Sequence, residues 1–134
     1  MNAKTEKQIE NLKNQTIGVE IEMNHITRER AAKLATDFFG TGRYEFTASR
    51  NGYSTWSAWD AQGREWKFQK DVSIAGCDAE KCELVTPILY YSDIETLQEL
   101  VRKLRKAGAI SHAGIGAGAV SYTHLRAHET LANL

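Results

Sequence analysis

Glu20 and Glu22 stand two residues apart inside Ile-Gly-Val-Glu-Ile-Glu-Met, residues 17–23. There Ile17, Val19, Ile21 and Met23 alternate with Gly18, Glu20 and Glu22, the period of two expected of a β-strand. Residues i and i+2 of a strand point the same way, roughly 6.5–7 Å apart. The two carboxylates therefore share a face, where they repel and, in a shielded cleft, lose hydration. A divalent cation between them would turn that repulsion into binding, but an edge strand with a solvated acidic face explains the same pattern. Two further acids bear on the choice. Asp71 closes the second strand of an expected hairpin, in Lys-Asp-Val-Ser-Ile, and Glu83 sits beside Leu84 and Val85 in Glu-Leu-Val-Thr-Pro. A carboxylate among apolar neighbours is costly to bury unless a partner neutralises it. Taken singly, Asp71 reads as a turn residue and Glu83 as a partner for a lysine or arginine. Together with Glu20 and Glu22 they make an oxygen-donor set of the kind hard divalent cations prefer, and magnesium shares its coordination with water and phosphate.

The elements that must position these acids can be read from pattern. Residues 1–15 are polar and are expected to form a short frayed helix or a flexible leader. After the first strand, Thr27 suits a helix N-cap with Glu29 in the first turn, and Gly40 a stop. The apolar face between them is Ala31, Ala32, Leu34, Ala35 and Phe38. Residues 44–74 take on a β texture: a short strand at 44–48, a turn at Asn51-Gly52, and strands over 53–60 and 64–71 joined by a turn at 60–63. Trp66 and Phe68 fall on one face of the second of these, Glu65, Lys67 and Gln69 on the other. A strand over 82–86 stops at Pro87. Ser92-Asp-Ile-Glu95 reads as a capping box, and Ile94, Leu97, Leu100, Val101 and Leu104 give the following helix its apolar stripe, with Gly108 past its end. Arg102, Lys103, Arg105 and Lys106 read as its solvated face. The order β-α-β-β-β-α predicts an antiparallel α+β domain.

Composition narrows the function classes. The 134 residues have room for one domain, with 17 basic and 17 acidic residues cancelling. No global field recruits nucleic acid or an anionic membrane, so neither is expected as a partner. There is no signal-peptide core and no run of transmembrane length, so a cytoplasmic location is expected. Cys77 and Cys82 have no second pair to complete a zinc set and read as free thiols. Neither a Rossmann glycine fingerprint nor a Walker loop is present.

The order Gly-Val-Glu-Ile-Glu, Trp-Lys-Phe-Gln-Lys-Asp-Val-Ser-Ile, Glu-Leu-Val-Thr-Pro, then a long amphipathic helix ending in Gly-Ala, resembles the amidoligase family over residues 17–110. These are phage- and mobile-element-associated members of the carboxylate–amine ligase superfamily, alongside glutamine synthetase and γ-glutamylcysteine ligase. The resemblance implies part of a glutamine-synthetase-like antiparallel sheet with flanking helices, holding ATP and magnesium. By position, Glu20 and Glu22 match the first-strand metal acids, Asp71 the Asp-x-Ser acid and Glu83 the Glu-Leu-Val-x-Pro acid. ATP would phosphorylate a small-molecule or peptide carboxylate, and an amine would displace phosphate from the acyl phosphate to form an amide. Lys67 and Lys70 are candidate phosphate contacts, with strand-surface lysines as the plain alternative.

The resemblance breaks after His112-Ala-Gly-Ile115. The family continues with a His-x-His strand, whereas this chain continues Gly-Ala-Gly-Ala-Val. Residues 120–134 resemble a translated sequencing adapter, which removes His124 and His128, at helical spacing, as a metal pair. The expected organisation is thus a leader at 1–15, the N-terminal part of a catalytic domain at 16–115 and a non-native tail at 116–134, inactive alone. An alternative from another class is a non-catalytic binding module, with Tyr53, Trp56, Trp59 and Trp66 as an aromatic platform.

Overall fold

The structure, a computed structural model, describes residues 2–47, 54–70, 77–111 and 119–123. Tyr53, Asp71, His124 and His128 lie outside the described residues. The polar leader contains a helix, α1 (Ala3–Lys13). Strand β1 (Thr16–Met23) follows, and its alternation works as expected: Ile17, Val19, Ile21 and Met23 are buried, Glu20 and Glu22 half-buried. In α2 (Arg28–Phe39), the Thr27 hydroxyl accepts from the Arg30 N–H, and Gly40 ends the helix in the left-handed region at φ 78°. Then come β2 (Tyr44–Phe46), β3 (Trp56–Trp59), β4 (Glu65–Gln69), β5 (Cys82–Val85), β6 (Leu89–Tyr90), α3 (Ile94–Lys106) and β7 (Ala119–Thr123). The chain is α+β: among the described residues, seven strands form one sheet in which every pairing is antiparallel, with helices packed on one face.

The strand order is β2-β3-β4-β5-β1-β6, with β7 also on β1. Glu20 opposes both Val85 and Val120, and Ile17 opposes both Leu89 and Thr123. So β5 and β6 run end to end along one edge of β1, and β7 lines the other. Thr86 carries the first edge between them: its N–H donates to the Val19 carbonyl at 3.0 Å, and its hydroxyl accepts the Val19 N–H at 3.1 Å. Pro87, with no N–H, interrupts the ladder there. Of residues 116–134, the described backbone is that of β7, paired with residues 17–21. No helix among the described residues is long and apolar enough to cross a membrane.

The core lies between the sheet and two helices. Trp66, Phe68, Leu84 and Ala58 join the odd-numbered side chains of β1, and Ala31, Ala32 and Ala35 of α2 meet them. The small alanines let α2 approach closely, and the Phe39 ring centroid lies 5.0 Å from that of Trp66. Leu97, Leu100 and Leu104 of α3 complete the cluster, Leu100 with no exposed surface.

The start of α3 differs from the sequence expectation. Ser92 is exposed within a 3₁₀ turn, Tyr91–Asp93, and caps nothing. Asp93 stands at the N-cap without a side-chain bond to α3; its carboxylate accepts the Tyr90 N–H at 2.8 Å, closing the 3₁₀ turn, and a forked pair of bonds from Arg64 at 2.9 and 3.0 Å. Arg64 also donates to Asp60 at 2.8 Å, which ties the β3–β4 hairpin to the start of α3. Burial pushes the Asp60 carboxyl up. Hydrogen bonds from the Trp66 indole and the Arg64 N–H, with the guanidinium charge, outweigh that and hold it below its ordinary value. The Arg64 hydrogen bonds hold Asp93 below its ordinary value against the same opposition.

The expected aromatic platform is divided by the sheet. Trp66 is wholly buried opposite Ala58, and Trp56 opposes Phe68 on the same helix-side face. Trp59, odd-numbered on the same strand as Ala58, lies on the other face, where Arg43 stacks over its ring at 4.2 Å. Period-two alternation forbids residues 56 and 59 from sharing a face.

Candidate functional site

The sheet face turned away from the helices carries the acids. In register, Glu22 stands directly opposite Glu83, and Glu83 directly opposite Gln69. One row across β1, β5 and β4 therefore reads Glu22–Glu83–Gln69. The next row on that face reads Glu20–Val85–Lys67, continued by Ser57 of β3. Directly opposed residues have Cβ atoms about 4.5–5.5 Å apart. Three carboxylates thus occupy one small patch at the centre of the sheet, two facing across a strand pair and the third two residues along. All three are half-buried. Gln69 Nε2 approaches Glu83 Oε2 at 3.5 Å, a long contact between neighbouring strands.

The register also sorts the basic residues. Lys67 is exposed on this face, in the row of Glu20 and two strands from it, so about 9–10 Å separates their backbones. Lys70 is half-buried just beyond the end of β4. Farther along the face, Ser57 donates to Glu65 Oε2 at 2.7 Å and shares a 2.8 Å hydrogen bond with Thr47. That polar strip ends at the Trp59–Arg43 stack.

Strand β5 reaches its place with help from Arg28, a residue that sequence reasoning did not single out. Its Nη1 donates to the Lys81 carbonyl at 2.8 Å and its Nε to the Ser54 carbonyl at 3.1 Å. The guanidinium so pins the segment leading into β5 beside residues ahead of β3. Nothing in the local sequence distinguishes Arg28 from any arginine in a first helical turn, because both acceptors are backbone atoms distant in the chain. Gln69 was likewise seen as a polar strand residue, and its place beside Glu83 depends on register. Cys82, behind Glu83, is fully buried, and that burial pushes its thiol up to about 12. It is a packing residue, as expected of a free thiol in the core.

Among the described residues, no three His, Cys, Asp or Glu side chains are arranged to hold a metal ion by themselves. Glu20, Glu22 and Glu83 share a face and Glu22 meets Glu83 directly, but the described donors do not close a cage. Asp71, the fourth acid of the expected set, lies outside the described residues.

The sequence model of a family described as "putative amidoligase enzyme" matches residues 13–121, which span β1 through the first part of β7. No curated protein and no solved structure matched the chain.

Proposed function

Because the chain belongs to the amidoligase family, we propose that its acidic sheet face forms one wall of an ATP- and magnesium-dependent carboxylate–amine ligase site. The observation that carries this reading is the direct opposition of Glu22 and Glu83, with Glu20 on the same face. Like charges directly opposite on neighbouring strands are destabilising by themselves, so two facing glutamates favour a site that gathers positive charge, which a divalent cation supplies. Carboxylates in that position fit a hard cation whose remaining ligands are water and phosphate oxygens, which agrees with a donor set that is not a closed cage. Glu20, Glu22 and Glu83, with Asp71, would hold magnesium; when bound, it supplies charge neutralisation at phosphate oxygens.

The residues of the chain then divide the work by place. The glutamates hold the cation side of the site. Lys67, on the same face, can steer an anionic group toward it, and Lys70 stands by position near the expected phosphates. The reaction of this class uses ATP to phosphorylate a carboxylate; the acyl phosphate then loses phosphate to an attacking amine, which gives the amide. Phosphoryl transfer depends on positioning by the whole constellation, so turnover would require groups beyond this wall, and the chain is proposed to be inactive alone.

Magnesium titration, with and without a non-hydrolysable ATP analogue, tests the reading by thermal unfolding. A ligand at a hundred times its Kd adds about 2.7 kcal/mol of stability. Magnesium-dependent stabilisation is expected in the parent protein and should be lost in Glu22→Gln and Glu83→Gln. Absence of stabilisation by millimolar magnesium in the parent, or equal stabilisation in both variants, would overturn it.

A further inference from the structure

Helices α2 and α3 leave an open groove of about 580 Å³ between them, in the layer opposite the acidic sheet face. Its floor is apolar: Leu34 and Phe38 from α2 and Ala107 from the end of α3, all half-buried. Its rims are basic. Arg30 and Lys33 line one side at i, i+3 spacing, and Lys103 and Lys106 line the other at the same spacing. All four are exposed. Among the described residues, none of the four is in an ion pair. One carboxylate, Asp37, shares the lining, so the groove carries a clear excess of positive charge within a chain whose total is zero.

We propose that this groove docks an acidic amphipathic helix of a partner protein. Basic rims on both sides of an apolar floor complement such a helix, with its i, i+3, i+4, i+7 apolar stripe on the floor and its flanking carboxylates on the rims. Rows of cations at i, i+3 run along each helix axis, and a helical ligand repeats its side chains with the same pitch. The geometry disfavours a membrane, which needs apolar side chains that protrude; here they are recessed and the charges stand proud. It also disfavours a nucleic acid. Single strands bind by stacking bases on aromatic rings, and the ring described in the floor, Phe38, already has the Lys103 ammonium 5.6 Å from its centroid. The proposal is independent of the ligase reading, since groove and acidic face lie on opposite layers.

The test uses a fluorescein-labelled, end-blocked peptide with leucine at i, i+3, i+4 and i+7 and glutamate at flanking positions, measured by anisotropy against the whole chain. Saturable binding that weakens with salt is expected. Lys33→Glu combined with Lys103→Glu should weaken it by about tenfold or more, since two rim contacts change from attraction to repulsion. Leu34→Gln should weaken it while leaving the salt dependence in place. Circular dichroism of each variant checks that the substitutions leave the fold intact. No binding, equal binding of a scrambled peptide of the same composition, or unchanged affinity in the charge-reversed variant would overturn the proposal. So would phosphatidylserine vesicles or single-stranded DNA displacing the peptide.

Discussion

Arg64→Met isolates the clamp between the β3–β4 hairpin and α3. Methionine keeps an unbranched apolar stem and removes every donor. The guanidinium now makes three bonds to carboxylates, Nε to Asp60 Oδ2 at 2.8 Å, Nη1 to Asp93 Oδ2 at 2.9 Å and Nη2 to Asp93 Oδ1 at 3.0 Å, and a fourth from Nη2 to Gln62 Oε1 at 2.6 Å. The side chains left behind are shielded, with 6% of Asp60 and 12% of Asp93 exposed. Removing one partner of a fully buried pair costs about 3–5 kcal/mol. Here 21% of the arginine side chain is exposed, so water screens part of the interaction. Asp60 keeps its bonds from the Trp66 indole and two backbone N–H groups, and Asp93 keeps the Tyr90 N–H. The expected loss at pH 7 is therefore about 2–3 kcal/mol.

The pH dependence of that loss has a definite sign. Both carboxyls are held below their ordinary value in the folded chain. Their contribution is thus fully present above the unfolded value, about 3.9, and is lost as pH falls through the folded values. The gap between parent and variant should stay constant from pH 7 to about 5 and narrow below about 4 as both carboxyls protonate. Urea unfolding followed by tryptophan fluorescence at several pH values measures it, Trp66 being bonded to Asp60 itself. A loss below about 0.5 kcal/mol at pH 7, or a gap that persists undiminished in acid, would refute the reasoning.

Two simpler perturbations probe the core. Leu100→Ala should cost about 2–5 kcal/mol, since the side chain has no exposed surface and contacts the sheet-facing cluster; a loss below about 1 kcal/mol would remove α3 from the core. In the native chain a disulfide-exchange reagent should titrate Cys77, which is exposed, and spare Cys82 until the chain is unfolded, because burial both blocks access and pushes that thiol up to about 12. Two thiols reacting equally fast in the native state would show that Cys82 is not where the structure puts it.

Most of the elements were legible because each is written in a local pattern. The alternation in residues 17–23 gave β1 and its two faces; Thr27 and Gly40 bracketed α2; the Asp60–Gly63 turn joined two strands; and the stripe from Ile94 to Leu104 named the buried face of α3. The misreadings share a cause. Ser92 looked like a cap because its neighbours fit a capping box, but Asp93 is recruited by Arg64, 29 residues away in sequence, and the helix begins after it. Strand β6 went unseen because it is two residues long and exists as the continuation of an edge that Thr86 carries past Pro87. The aromatic platform failed on simple parity, since Trp56 and Trp59 belong to opposite faces.

The sequence by itself determined that Glu20 and Glu22 share a face, that Trp66 and Phe68 turn the other way from Lys67 and Gln69, and that the chain builds an α+β domain. These follow from the fixed periods of strand and helix, which need no knowledge of neighbours. Only the tertiary structure decided which residues meet. Register set Glu22 against Glu83 rather than against Val85, and a slip of one residue would have sent Glu83 to the helix side and brought Leu84 to the acidic face. Helix packing likewise joined Arg30 and Lys33 to Lys103 and Lys106 across one groove, although about seventy residues separate them in the chain. Spacing along a chain dictates direction, whereas proximity between strands and helices is chosen by the burial of the whole core, which no single segment contains.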